Sequence, residues 1–368
     1  MFKSACPRRR GGRRAAQTLA FVLVAAVSLL TVTACGGAAA GNGASATGAS
    51  LPKVTVGYED APDPEMVAIA QKYFGKYMHA DVTMKYYSSG PQALDALSSG
   101  ALQFMTVLGN PPLATAIAKG VPLQVIWAQD LYTTGEGLVV RKGKGIESLK
   151  DLEGKTVALN SGSSSSFELA VAEQQAGIPA GSIKIDNMTP PGMVAAWKRG
   201  DINAAYVWVP FFSEMVGDGG KALLYDQSQG SAAPIFNLAV VNTAFAKKYP
   251  AMVDGFVRAE AAGVSTYQHD PTQAYQDMAQ VGAITVAQAK AQSAGLKFLT
   301  LQEEVTAQGL GSPGNVADSL VTQSLAEAGA WLKSSGRVGA VPASFAAYVN
   351  PSYAAAVLQA ANSGSPAS

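Results

Sequence analysis

The chain is short of reactive side chains. Among 368 residues it has two cysteines, Cys6 and Cys35, and two histidines, His79 and His269. Neither cysteine lies beyond residue 35, so the rest of the chain has no Cys nucleophile, no disulfide and no Cys-rich zinc site. The histidines stand 190 residues apart, which removes any His-x-x-x-His pair. Each reads as a structural or exposed side chain rather than a catalytic one. Charge is scarce too, at 14 % of residues, with 27 Lys+Arg against 26 Asp+Glu. That balance excludes a strong polyanion binder, so no nucleic-acid partner is expected. A hydrophobic content of 48 % excludes a disordered chain and leaves length enough for two or three domains.

What charge there is, is unevenly placed. Residues 1–34 hold six basic side chains (Lys3, Arg8, Arg9, Arg10, Arg13, Arg14) and no acidic one. The remainder therefore carries 21 basic against 26 acidic groups, a net charge of about −5. RRRGGRR is followed by TLAFVLVAAVSLLTVTA, 17 residues without a charge. A basic stretch before an apolar one reads as a secretory signal. It ends in Val32-Thr33-Ala34-Cys35, small residues before a cysteine, which resembles a lipobox. Residues 1–34 are thus expected to be a lipoprotein signal peptide and Cys35 the lipidated residue. Residues 36–50, GGAAAGNGASATGAS, cannot bury a core and read with Cys35 as a tether. The expected location is the outer face of the cell membrane, held by lipid.

From Lys53 the texture is that of a folded body. KVTVGY, VTMKYYS, LQFMTVLG and VPLQVIWAQ read as strands. Between them DPEMVAIAQKYFGKYM, PQALDALSSG and LATAIAKG read as helices, the first entered through Pro64 and the second stopped at Gly100. After GLVVRK the alternation restarts near residue 155: TVALN, FELAVAEQQAG, IKIDNM, PPGMVAAWKRG, INAAYVWV. Such alternation predicts α/β lobes with mainly parallel sheets. ALDALSSGALQFMTVLGNPP and MVAAWKRGDINAAYVWVP echo one another, each running helix, glycine (Gly100, Gly200), apolar strand, proline. The echo supports two like lobes whose strands end where a ligand would sit. Beyond residue 250 the chain reads as mostly helical.

LGNPPLATAIAKGVPLQVIW, EGLVVRKGKGIESLKDLEGKTVAL and PPGMVAAWKRGDINAAYVWVP carry a family resemblance that runs from about Val54 to Tyr348. The sequence resembles the taurine, aliphatic-sulfonate and nitrate-binding proteins of ABC importers, and its third segment looks like the taurine-binding branch. The resemblance implies a type II periplasmic-binding-protein fold. Two α/β lobes are joined by two crossing strands, near residues 137–141 and 236–242, and a helical C-terminal tail packs on the first lobe. Lobe 1 would take residues 51–138 and 240–368, and lobe 2 residues 139–239. It implies a monomeric receptor that closes on its ligand, delivers it to a permease and its ATPase, and performs no chemistry. No cofactor and no metal are expected.

A cleft for taurine needs donors for a sulfonate at one end and a carboxylate or aromatic face for an ammonium at the other. SGSSSS, residues 161–166, lies between a strand and a helix, where hydroxyls and free amides suit an oxyanion. Ser163, Ser164 and Ser165 match the stretch that supplies oxyanion donors in the family, though relatives often have Thr-Thr-His there. Asn110 either caps a helix or touches ligand. YEDAPDPE offers Glu59, Asp60, Asp63 and Glu65 for the ammonium, with Glu59 first because it follows a strand directly, and Glu136 is a further candidate. Asn203-Ala204 stands where taurine-type relatives tend to have Asp-Gly, which would keep a hydrogen bond and lose a charge. Trp208 is the aromatic expected at the cleft, where a cation–π face is worth roughly 0.5–2 kcal/mol; Tyr206 is either a second wall or core, and Trp127 a further candidate.

Other ligands stay open. Nitrate needs no ammonium site, and a betaine-like amine would want a cage of aromatics, for which Tyr58, Trp127, Tyr206 and Trp208 are the only nominees. An enzyme on the same fold, like the pyrimidine-synthesis proteins that share it, would need a reactive His or a metal cluster. A receptor that signals instead of transporting shares the same grammar.

Overall fold

The computed structural model describes residues 51–226 and 234–363. The expected signal peptide, Cys35 and tether lie outside the described residues. The first run alternates as the sequence predicts: β1 (Lys53–Tyr58), α1 (Pro64–Ala70), α2 (Tyr73–Met78), β2 (Asp81–Tyr86), α3 (Gly90–Ser98), β3 (Phe104–Gly109), α4 (Asn110–Ala118), β4 (Leu123–Tyr132). A second run follows: β5 (Glu136–Arg141), β6 (Thr156–Leu159), α5 (Ser164–Ala176), β7 (Lys184–Asn187), α6 (Pro190–Arg199), β8 (Ala204–Trp208), α7 (Phe211–Gly217), β9 (Gly220–Tyr225). After β10 (Phe236–Asn242) come α8 (Thr243–Lys248), α9 (Pro250–His269), α10 (Pro271–Val281), α11 (Val286–Ser293), β11 (Leu296–Lys297), α12 (Leu301–Glu304), α13 (Leu320–Ser334) and α14 (Ser352–Asn362). No described helix is long and apolar enough to cross a membrane.

Two sheets result, in the orders β11-β4-β10-β3-β1-β2 and β7-β6-β8-β5-β9. Each has a parallel core with antiparallel insertions: β10 runs antiparallel to β3 and β4, and β5 to β8 and β9. The sequence echo has its counterpart here. β3 and β8 each lie between a parallel neighbour (β1, β6) and an antiparallel one (β10, β5), and Gly100 and Gly200 close the helices before them at φ 74° and 81°. The chain passes between sheets at Thr133–Gly135 and again between Tyr225 and Phe236. These passages lie a few residues ahead of the stretches expected to cross, because β5 and β10 are taken up by pairing within one sheet each.

DPEMVAIAQKYFGKYM, expected as one helix, is two. Lys72 adopts φ 58° and breaks it. Packing explains the break: turning the second piece lets Phe74 reach Phe256 of α9, ring centroids 5.1 Å apart. The helical tail packs on the first lobe, and α9 covers one face of its sheet together with Val54, Phe104 and Trp127. In the second lobe β8 alternates, Ala205 and Val207 to one core, Ala204 and Tyr206 to the other.

α9 lies unusually close to α1 and α2. A Cβ on Gly255 would stand 2.4 Å from the Tyr77 carbonyl oxygen, and one on Gly263 2.3 Å from that of Pro64. Backbone cannot yield as a side-chain tip can. Gly255→Val therefore costs about 3 kcal/mol of unfolding free energy. Urea denaturation checks it; a loss under about 1 kcal/mol would refute the contact.

Candidate functional site

Both sheets aim the carboxyl ends of their parallel strands at one cleft. β1 runs into Glu59, β3 ends at Gly109, β6 leads to Ser163 and β8 ends at Trp208. Glu59, Gly90, Pro91, Val107, Gly109, Pro112, Tyr132 and Asn237 line it from the first lobe, and Ser163, Ser164 and Trp208 from the second. Its cavity is about 20 Å³, room for a water or two. The lobes are shut on each other: a Cβ on Gly109 would sit 3.8 Å from the Ser164 hydroxyl, and Phe167 packs edge-on against Trp331 at 5.3 Å. A ligand enters only if they part.

The two lobes bring different chemistry to the cleft. Ser163 caps α5, a 13-residue helix, and its hydroxyl donates to the Asn160 carbonyl at 2.7 Å. The first amides of such a helix have no intrahelical acceptor and carry the positive end of its dipole. Opposite stands Glu59, 5 % exposed, whose Oε1 has no hydrogen-bond partner. Burial pushes its carboxyl well above the usual range, and Asp60 and Glu136 add to this. Among the lining residues there is no Lys, Arg or His. The floor is strained: Val107 takes φ 53°, at a bulge in β3 against β10, and its amide donates to Gln129 Oε1 at 2.9 Å. A β-branched residue there costs roughly 1–3 kcal/mol, a cost that concentrates at functional sites.

The structure brings some of the expected residues to this cleft and places others elsewhere. Glu59, Ser163, Ser164 and Trp208 line it. Ser165 is fully buried, with its hydroxyl donating to Glu136, so both lie one layer behind the wall. Asn110 is committed to the chain returning from the second lobe. It donates to the Pro234 carbonyl at 3.1 Å and accepts from the Phe236 amide at 3.0 Å. It is not among the residues that line the cavity.

Asp63 caps α1, accepting from the Glu65 amide at 2.9 Å. Glu65 turns inward to Thr106, and Asp60 sits by Tyr86. Tyr206 is core, hydrogen-bonded to Glu168, and Trp127 is core in the first lobe. Asn203 is exposed and precedes β8 at its amino end. Five residues of strand, about 16 Å, separate it from Trp208, so both could not reach one cleft. The departure at Asn203 therefore says nothing about the ligand. Sequence reasoning missed Val107, Tyr132 and Asn237, which no local pattern marks, and Glu168, which its position four residues after Ser164 could have suggested.

Glu136, Glu168 and Asp226 form a buried group with one oxygen of each within 4.8 Å of the others, a spacing that would admit a cation. Its oxygens already exchange hydrogen bonds: Glu168 with Asp226 and with Tyr206, Asp226 Oδ2 with the Glu136 amide at 3.1 Å. Two carboxyls bonded to each other share a proton, which favours an acid cluster over a metal centre.

Comparison with known proteins fits this picture. A family profile described as NMT1/THI5-like matches residues 63–274. The taurine-binding periplasmic protein of Escherichia coli (strain K12) is 31 % identical over 303 residues, 80 % of this chain and 91 % of that protein. Among solved structures, the alkanesulfonate-binding protein SsuA from Xanthomonas axonopodis pv. citri, bound to MOPS, superposes with a TM-score of 0.66 over 82 % of this chain and 99 % of its own, at 20 % identity. The periplasmic aliphatic sulphonate binding protein SsuA from Escherichia coli gives 0.64 over 79 % and 95 %, also at 20 % identity. At that identity the superpositions speak for the fold, a periplasmic-binding-protein architecture. Taken with the profile and the 31 % identical relative, the cleft between two α/β lobes places this chain in the NMT1/THI5-like family.

Proposed function

We propose that the protein is the extracytoplasmic receptor of an ABC importer, held to the outer face of the membrane by lipid on Cys35. It captures a small zwitterionic aminoalkanesulfonate, taurine or a near relative, and delivers it to the permease. One observation carries the choice of ligand: the buried, partnerless oxygen of Glu59 on the cleft wall opposite the amino end of α5. A carboxylate buried without a cation is costly, and an ammonium group offsets that cost. The sulfonate would meet the α5 amides and the Ser163 and Ser164 hydroxyls. Trp208 would cover the ligand, and closure would exclude water. Family membership supports the same reading, since the 31 % identical relative is a taurine-binding protein.

A plain anion fits worse. Nitrate or ethanesulfonate would place its charge in a cleft whose lining has an acid and no basic side chain. A quaternary amine would want several aromatic walls, and of the four nominees Trp208 alone lines the cleft.

Isothermal titration of the purified protein with taurine, ethanesulfonate, nitrate and glycine betaine decides this. Taurine is expected to bind with a micromolar dissociation constant, about −8 kcal/mol, and ethanesulfonate at least tenfold more weakly. Equal affinities would remove the ammonium site. Silence from all four would remove the sulfonate reading.

A further inference from the structure

The layer behind the serines holds chemistry that ligand contact alone does not require. Glu136 is fully buried at the start of β5. Its carboxyl accepts from the Ser165 hydroxyl through Oε1 and meets the hydroxyl of Ser164, which lines the cleft. Its Oε2 has no partner. Among the described residues, the titratable groups that face it are acids or phenols: Glu59 after β1, Tyr132 of β4, Glu168 of α5, Tyr206 of β8 and Asp226 after β9. The ion pairs among the described residues join exposed side chains and include none of these.

A serine hydroxyl has one proton to give. If Glu136 is ionised, Ser164 and Ser165 point their protons at it, and Ser164 shows lone pairs to the cleft. An anion then meets acceptors, with a negative charge just behind them. If Glu136 is neutral, its own proton satisfies the Ser164 oxygen, and the Ser164 proton is free to point at the ligand. The same side chain thus decides whether this wall donates or accepts.

We propose that Glu136 is a positioning residue that sets the polarity of the anion end of the cleft: neutral in the bound state, it turns the Ser164 hydroxyl into a donor for the sulfonate, so that ligand binding takes up a proton wherever the free protein has lost it. The proton comes from solvent and rests on the Glu136 carboxyl; no bond other than O–H forms or breaks. Burial and the neighbouring Glu168 both favour the neutral form, opposed by the serine hydroxyls. The inference rests on the reading of the cleft as a site for a ligand with an anionic end.

Titrating taurine between pH 6 and 9 in phosphate and in Tris tests it. The two buffers differ in ionisation heat, so the difference in binding heat counts protons. Glu59 bears on the ammonium end and has the opposite sign, but it is present in both proteins, so comparison with Glu136→Gln isolates Glu136. Proton uptake in the wild type should exceed that of E136Q and grow with pH, and wild-type affinity should fall by up to tenfold per pH unit relative to the variant. At pH 9, E136Q, which cannot ionise, should bind about fivefold or more tighter than wild type. Equal uptake and parallel pH profiles would overturn the proposal and leave taurine binding intact. A melting temperature raised by millimolar Ca²⁺ in wild type and not in Glu168→Gln would assign the cluster to a cation and overturn it as well. Absence of taurine binding at every pH would overturn both this and the zwitterion reading. If E136Q fails to fold, the count is made in Glu59→Gln, which lacks the opposing group, and zero proton uptake there across the range rejects the proposal.

Discussion

Exchanging Glu59 for Gln lowers affinity for taurine by about 100-fold, the loss of about 2.7 kcal/mol. The magnitude follows from burial. Glu59 is 5 % exposed and its Oε1 has no protein partner. Breaking a buried, hydrogen-bonded charge pair costs roughly 2–5 kcal/mol, since the surviving charge is left desolvated. Gln keeps the shape and a hydrogen-bond acceptor but cannot neutralise an ammonium. For ethanesulfonate the sign reverses. It brings no cation, so the wild type must hold an uncompensated carboxylate or protonate it, and E59Q binds it more tightly. Parallel titrations of both ligands against both proteins therefore give a selectivity ratio that collapses in the variant. An unchanged ratio would show that the ammonium, or the ligand, lies elsewhere.

The protein is more stable in mild acid than in mild base. Among the described residues the fold buries several carboxyls outside any ion pair. In the first lobe Asp63, Glu65, Asp130, Glu260 and Glu304 are all under 3 % exposed. Their partners are neutral donors: Asn237 Nδ2 to Asp130 at 3.0 Å, Gln129 Nε2 to Glu260 at 3.2 Å, the Ala128 amide to Glu304 at 3.1 Å. Burial raises each one, and Asp130 is pushed up to about 7 from an ordinary 3.8. An acid whose folded value is raised holds its proton in the folded state where the unfolded chain has lost it. Its contribution is fully present below pH 4 and is lost as pH rises through the folded value. For Asp130 that window runs from about 4 to about 7 and is worth roughly 4 kcal/mol. The others act in the same direction. Calorimetry without ligand should show a melting temperature about 8 °C lower at pH 8.5 than at pH 5. Asp130→Asn should flatten that slope. A melting temperature that rises with pH would contradict the burial of these groups as neutral acids.

Much of the cleft was legible in the sequence, for local reasons. Glu59 follows a β-branched strand directly, and Ser163–Ser164 open a helix after one, so both had to lie at a carboxyl edge of a sheet. Trp208 ends a strand in the same way. The misplaced residues were those whose position depends on direction and partners. Asn203 shares a motif with Trp208, but the strand between them carries the two to opposite ends of the sheet. Asn110 was legible as a helix opener, yet its amide is bound by Pro234 and Phe236, more than 120 residues away. The kink at Lys72 likewise answers to Phe256, which no window around Lys72 contains.

The sequence by itself determined the alternating α/β order, the paired lobes, the absence of a Cys nucleophile beyond residue 35, and the family. These follow from periodicity, composition and short-range punctuation, which act between neighbours in the chain. Only the tertiary structure decided which acids matter. YEDAPDPE offered four carboxyl-bearing residues, Glu59 first only for its place after a strand, and closure of the two lobes leaves Glu59 alone of the four on the cleft wall. It also set Glu136, Glu168 and Asp226, separated by up to 90 residues, into one buried group. Desolvation and charge coupling depend on distance in space, and the fold, not the order of residues, sets that distance.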